Sequence, residues 1–138
     1  MFKHTVKYTD FNGEAREKDV YFYVSVPEMM TKQHSVPGGY GEYLTTITKE
    51  QDIMKIWQAF DDIIEAAYGE KTPDGERFVK VADDGTRLFD KFKETPAYEA
   101  LMVELLSNSD LAAEMVNKMM PEAQLKKLGL NLDTAIEA

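Results

Sequence analysis

The stretch YGEKTPDGERFVK, residues 68–80, lies between two parts of the chain whose apolar residues are spaced for helices. Before it, the apolar residues of segment 53–67 recur at intervals of three and four, the pattern of an amphipathic helix. Thr48 and Gln51 have the spacing of a capping box ahead of this helix, and Gly69 follows it where a glycine commonly ends a helix. The apolar stripe consists of Ile53, Ile56, Trp57, Phe60, Ile63, Ile64 and Ala67. We expect this helix to form the centre of the core.

The stretch itself is polar and contains Pro73, Asp74 and Gly75, which are residue types typical of turns. It therefore predicts a loop that reverses the chain direction, with Phe78 and Val79 anchoring the return. The helices that follow would then fold back against the apolar stripe.

Two or three shorter helices are predicted after this loop. Phe89 and Phe92, three positions apart, give one apolar face. Thr95 and Pro96 are typical of the N-cap and the first position of the next helix. A last helix is expected to end at Pro121, because proline cannot continue a helix. Its N-cap is expected to be Ser109 or Asp110.

The N-terminal residues predict a β-hairpin. Polar and apolar residues alternate in FKHTVKYT, residues 2–9, and DVYFYV, residues 19–24, is rich in β-branched and aromatic residues. A two-residue loop would place the apolar residues of the two strands on opposite faces. A three-residue loop with Gly13 in the left-handed region instead pairs Phe2 with Phe22 and His4 with Val20. We expect the three-residue loop.

These patterns together predict a single domain over residues 1–138 of the α+β class. It would be mostly α, with an N-terminal β-hairpin followed by a small bundle of about four to five helices. The hairpin would span 2–24 and the helical bundle 48–121. Segment 25–47, with its prolines and glycines, is expected to be a connector with short helical pieces, and 122–138 a weakly ordered tail.

Composition excludes several functional classes. The net charge of −9 disfavours binding to nucleic acid, and we attribute most of it to solvated helix faces. The chain contains no cysteine, which excludes disulfides, thiol nucleophiles and zinc–thiolate sites. No segment approaches the ~18 apolar residues of a membrane span, and the first ten residues lack the pattern of a signal peptide. We therefore expect a cytoplasmic protein that binds no membrane.

No catalytic, metal or cofactor site is predicted. His4 on the first strand and His34 in the connector have no serine or carboxylate in a known catalytic arrangement, and His4 is expected to pack in the hairpin. Asp61, Asp62 and Glu65 cluster on the central helix, and paired carboxylates can perform acid–base chemistry. They lie opposite the apolar stripe, so a solvated face explains them better.

Methionine is the unusual component, with eight residues in the chain. Methionine fills irregular cores, but it also lines adaptable grooves that accept partner helices of varied sequence. Since the adjacent Met119 and Met120 cannot both point inward comfortably, at least one is expected on an exposed patch. The predicted protein-binding residues come from the last helix and the connector: Met115, Met119, Met120, Met29, Met30, Tyr40 and Tyr43.

Four segments resemble, in their order and spacing, the tail assembly chaperones of long-tailed phages and prophages of Gram-positive hosts. They are YTDFNGEAREKDVYFYV (8–24), AYGEKTPDGERFVK (67–80), ETPAYEALMVELLSN (94–108) and AAEMVNKMMP (112–121). The resemblance spans about residues 5 to 121. The connector 26–41 departs from it, and the tail after Pro121 lies outside it.

This resemblance implies a non-enzymatic protein that binds the tape measure protein, a long and largely helical chain, and keeps it soluble during tail assembly. It implies action in the cytoplasm of the bacterial host, absence from the finished virion and a tendency to self-associate. Many members are made in a short and a frameshifted longer form, and this chain would correspond to the short one.

Two other functions stay open. An acidic inhibitor that mimics DNA would array its carboxylates in two rows at phosphate-like spacing, whereas here they are scattered among lysines. A metal-assisted hydrolase would use Asp61, Asp62 and Glu65 as ligands and would bind a divalent ion tightly.

Overall fold

The computed structural model describes residues 1–35 and 52–119 of the chain. The predicted capping box at Thr48 and Gln51, the glycine-rich part of the connector and the tail after Pro121 lie outside the described residues. The strands are β1 (Phe2–Thr9), β2 (Ala15–Phe22), β3 (Tyr68–Lys71) and β4 (Phe78–Val79). The helices are α1 (Val26–Ser35), α2 (Ile53–Ala67), α3 (Leu88–Lys93), α4 (Pro96–Ser107) and α5 (Ser109–Lys118).

The hairpin of β1 and β2 has the predicted register, with Phe2 opposite Phe22. Its turn is held by two backbone hydrogen bonds: Gly13 N–H donates to the Asp10 carbonyl at 3.0 Å, and Asp10 N–H donates to the Glu14 carbonyl at 2.8 Å. Gly13 has a φ of 81°, in the left-handed region that favours glycine. The three-residue loop is therefore confirmed, although β2 begins earlier than predicted.

The stretch 68–80 is not a loop between helices. It forms a second hairpin, β3 and β4, whose turn contains Gly75 at a φ of 75°. Strand β3 pairs antiparallel with β2, placing Gly69 opposite Tyr21 and Tyr68 opposite Phe22. The strand order is β1-β2-β3-β4. The prediction of a hairpin followed by a helical bundle is therefore wrong: in the described residues the sheet has four strands, and two of them come after the central helix.

Gly69 does not end helix α2 in the predicted way. The helix ends at Ala67, its C-cap Tyr68 is already extended (φ −68°, ψ 135°), and Gly69 is a buried strand residue. Its role is close approach, because a Cβ at this position would lie 2.6 Å from both the Phe78 ring and the Val79 carbonyl oxygen. The sheet can close here only because residue 69 has no side chain.

Helix α2 is confirmed, but its apolar stripe is buried only in part. Phe60, Ile63 and Ile64 are in the core, as is Ala67. Ile53 belongs to the same predicted stripe, yet its side chain is 63% exposed, as is that of its neighbour Met54 at 62%, so the first turn of the helix is not covered by the core. The Asp52 carboxylate caps the helix by accepting the Met54 N–H at 2.9 Å.

The core lies between one face of the sheet and the helices α2, α3 and α4, which contact β2, β3 and β1 respectively. Tyr68 is at its centre: its ring stacks on Phe92 of α3 at 4.3 Å and contacts Phe22 of β2 at 6.1 Å between centroids. Burial raises the pKa of the Tyr68 hydroxyl to about 12. An aromatic cluster thus connects the second hairpin to both the first hairpin and the later helices.

The predicted start of α4 is confirmed, with the Thr95 hydroxyl accepting the Tyr98 N–H and Pro96 in the first turn. The cap of α5 is instead Asn108, whose side-chain oxygen accepts the Leu111 N–H at 3.1 Å. Helices α4 and α5 are therefore separated by a single residue.

Candidate functional site

The tip of the first hairpin carries the most exposed large apolar side chain of the described residues. Phe11 is 84% exposed. The turn beneath it is fixed by the Asp10 carboxylate, whose Oδ1 accepts the N–H groups of Asn12 and Glu14, both at 2.9 Å, and whose Oδ2 accepts Nε–H of Arg16. These hydrogen bonds, that from Arg16 foremost, hold the pKa of Asp10 below its usual value. Phe11 is consequently presented to solvent on a preorganised turn.

Further exposed apolar side chains lie on the helices. Met30 of α1 is 46% exposed, and Ile53 and Met54 at the start of α2 are 63% and 62% exposed. Val103 of α4 is 56% exposed. Single exposed apolar side chains are normal on a protein surface, whereas a contiguous apolar patch is typical of a site that contacts other proteins.

Most of the methionines predicted to bind a partner lie in the core. Met29, Met115 and Met119 are at most 3% exposed, and the Met119 carbonyl accepts the Val24 N–H at 3.0 Å at the end of the first hairpin. Met30 is the member of the set with an exposed side chain among the residues the structure describes. Tyr40, Tyr43 and Met120 lie outside them. Binding through this set stays a prediction, and the structure does not bring its described members together on one surface.

Helix α1, which carries Met30, is bonded to the rest of the fold through Lys80, in addition to the buried side chain of Met29. Lys80 Nζ donates to Glu28 Oε2 and to the Ala66 carbonyl, both at 2.7 Å. Ser25 and Glu28 also form a reciprocal capping box at the start of the helix. Burial alone would raise the pKa of Glu28, but the hydrogen bonds from Lys80 and Ser25 outweigh it, and the pKa is lowered. The position of α1 thus depends on a residue just past β4.

Carboxylates of α2 form hydrogen bonds with residues of the later helices and of the segment before α3. Asp61 accepts hydrogen bonds from the Tyr98 hydroxyl of α4 and from Lys93 of α3, the latter at 3.3 Å. Glu65 accepts Arg87 Nη1–H at 2.7 Å. Burial and the neighbouring Asp61 raise the pKa of Tyr98, so its hydroxyl stays a donor. Within 1–35 and 52–119, no group of three His, Asp or Glu residues is arranged to hold a metal ion.

His4 packs between the sheet and a helix, in line with the prediction. Its Nε2 lies 2.9 Å from Glu104 Oε1 of α4, and its ring stacks on Phe2 with 6.1 Å between centroids. Its side chain is 18% exposed. The contact ties α4 to β1.

Sequence reasoning missed Phe11, Ile53 and Met54 as exposed apolar residues. The predicted three-residue loop contains Phe11, and an aromatic residue in a tight turn belongs to neither face of the hairpin, which leaves it exposed. Nothing in the local spacing distinguishes Ile53 from the buried members of its stripe, because its exposure depends on tertiary packing.

The chain is similar to a known protein family. A family model described as phage tail assembly chaperone matches residues 1–130. The comparisons with curated proteins and with solved structures each returned no match. None of the described helices is long and apolar enough to cross a membrane.

Proposed function

Because this chain belongs to the phage tail assembly chaperone family, we propose that it binds the tape measure protein and keeps it soluble until the tail tube assembles around it. The family match over residues 1–130 is the observation that carries this proposal. The function requires no catalysis, and it takes place in the cytoplasm of the bacterial host, with the protein absent from the finished virion.

The proposed partner explains the combination of exposed apolar side chains and strong negative charge. A long helical chain exposes apolar stripes before assembly, and these aggregate unless they are covered. Phe11, Met30 and Met54 are among the exposed large apolar side chains, and they offer apolar contacts on separate elements of the fold. The net charge of −9 on each copy would make tape measure chains coated with this protein repel one another.

Reversible coating favours many modest contacts over one tight one. Several copies along a single tape measure chain would gain avidity from their number, and each copy would leave when the tube subunits displace it. Self-association of the protein would support this arrangement by placing neighbouring copies side by side.

Expression of the tape measure protein of the same phage with and without this chain tests the proposal. We expect the tape measure protein in the insoluble fraction when expressed alone and in the soluble fraction when co-expressed. Co-expression with an unrelated acidic protein of similar size is the control. A tape measure protein that stays insoluble in the presence of this chain would contradict the proposal.

A further inference from the structure

Strand β1 lies at the edge of the sheet, and the outer row of its backbone groups has no partner strand in the described part of the chain. The opposite edge is short, since β4 has two residues, whereas β1 has eight. A long unpaired edge strand is a template for pairing with another chain. The β1 edge contains neither proline nor a bulge that would prevent such pairing.

The direction of each backbone group on β1 follows from the turn. The Asp10 N–H donates to the Glu14 carbonyl and so points toward β2. Along an antiparallel strand, the backbone N–H and C=O groups of successive residues point alternately to one side of the strand and to the other. The even-numbered residues of β1 therefore bond to β2. The backbone groups that point away from the sheet belong to Lys3, Thr5, Lys7 and Thr9.

Charge limits the registers in which two β1 edges can meet. An antiparallel pair centred on Thr5 places Lys3 opposite Lys7 of the second copy. A pair centred on Lys7 places the two Lys7 residues opposite each other. Both registers are disfavoured, because like charges directly opposite each other are destabilising. An antiparallel pair centred on His4 forms fewer backbone hydrogen bonds between the two strands, and it places the two His4 residues opposite each other.

The register centred on Val6 avoids all of these conflicts. It places Lys3 opposite Thr9, Thr5 opposite Lys7 and Val6 opposite Val6 of the second copy. The outward backbone groups would then form about eight hydrogen bonds between the two chains. Lys3 and Lys7 already lie 3.6 Å and 3.9 Å from Asp19 and Glu17 of their own chain, which offsets their charge at the junction.

We propose that two copies of this protein pair antiparallel through β1, in the register centred on Val6, and form one continuous sheet across a two-fold axis. The inference rests on the self-association included in the proposed function and assigns it a surface. Because the interface is isologous, it closes on two copies and leaves Phe11 at the hairpin tips.

Single cysteines test this register directly, since the chain has none of its own. Lys3→Cys and Thr9→Cys are each made as a separate variant at an exposed position. In the proposed register, residue 3 of one copy and residue 9 of the other are ~5.5 Å apart between Cα atoms, within the reach of a disulfide. Identical positions are about 20 Å apart, because they are separated by six residues of strand. We expect a disulfide-linked dimer when the two variants are mixed and oxidised, and none from either alone.

A matched pair of charge variants gives a second measurement. Thr9→Glu places a carboxylate opposite Lys3 of the second copy, and Thr9→Lys places a second positive charge there. Within the same chain, residue 9 lies opposite Ala15, which is uncharged. We expect Thr9→Glu to lower the dimer dissociation constant and Thr9→Lys to raise it, each by about threefold or more. Sedimentation equilibrium gives both values.

Three outcomes would overturn the inference. A protein that stays monomeric at high concentration and forms no mixed disulfide contradicts both the β1 pairing and self-association. An oligomer without the mixed disulfide contradicts the β1 pairing alone, as does a disulfide dimer formed by either variant alone. Tape measure solubility is measured independently, so its failure is distinguishable from any of these.

Discussion

Gly69 and Phe78 approach each other so closely across the second hairpin that a Cβ on residue 69 would lie 2.6 Å from the phenylalanine ring. The Phe78 ring in turn contacts Tyr23 edge-on, with 5.7 Å between ring centroids. This close approach explains why residue 69, within strand β3, is a glycine.

We expect Gly69→Ala to lower the free energy of unfolding by about 3 kcal/mol, the upper end of the range of overpacked sites, because both the Phe78 ring and the Val79 carbonyl must shift. Urea unfolding measures the change. Gly85→Ala is the control: it has a φ of 88° but open space around it, so it should cost only about 1 kcal/mol. Equal losses in the two variants would show that close approach is not the role of Gly69.

Shortening Phe92 tests the aromatic cluster that joins the second hairpin to the helices. Its ring is 2% exposed and stacks on Tyr68 at 4.3 Å, so Phe92→Ala should cost about 3–5 kcal/mol. Phe92→Leu keeps much of the volume and should cost clearly less. Thermal unfolding of the two variants checks the order, and a Phe92→Ala protein as stable as the wild type would contradict the assignment of the core.

Acid should weaken the first hairpin through Asp10. The pKa of Asp10 in the folded protein is below 3.8, its value in the unfolded chain, so the unfolded state binds more protons in this range. The stabilisation from Asp10 is therefore complete above pH ~4 and is lost as the pH falls through the folded pKa. Between pH 6 and 2.5, the melting temperature of the wild type should fall more steeply than that of Asp10→Asn, which has no carboxylate to protonate. Parallel curves would contradict this.

The Lys80–Glu28 pair should hold helix α1 in place. A double-mutant cycle with Lys80→Met and Glu28→Gln should give a coupling energy of about 1 kcal/mol, because the pair is half-buried and its hydrogen bond is short. Hydrogen exchange should become faster in α1 in both single variants while β1 and β2 keep their protection. Unchanged exchange in α1 would show that Met29 and the helix cap suffice to hold it.

Phe11 should contribute to binding and not to folding. Phe11→Ser should change the free energy of unfolding by less than about 0.5 kcal/mol, since the side chain is 84% exposed. It should weaken the affinity for the tape measure protein about tenfold or more, as expected for an aromatic residue at a protein interface. Asn12→Ser, at the neighbouring turn position, is the matched control and should bind as the wild type does.

The parts of the fold that depend on local sequence could be predicted, and those that depend on tertiary pairing could not. The register of the first hairpin follows from strand parity and from one glycine, Gly13. The central helix follows from its apolar spacing. Strands β3 and β4 are short and contain Gly69, Glu70 and Lys71, which have little intrinsic tendency to form strands. They form because β2 offers an edge for pairing and because Tyr68 fills the core.

The candidate site, too, could be predicted from the sequence only where it depends on local pattern. Methionine spacing indicates that a helix face is apolar, but whether that face meets the core or a partner depends on what lies beside it. Met119 is covered because the end of the first hairpin bonds to its carbonyl, a contact between residues 95 positions apart in the chain. Phe11 is exposed because a tight turn has no interior face.

Affinity purification of the tape measure protein on tagged copies of this chain tests the central claim most directly. The wild type and the Asn12→Ser control should retain the tape measure protein, and Phe11→Ser should retain much less at the same concentration. If the wild type retains no more tape measure protein than an unrelated acidic protein does, the proposed chaperone function is contradicted.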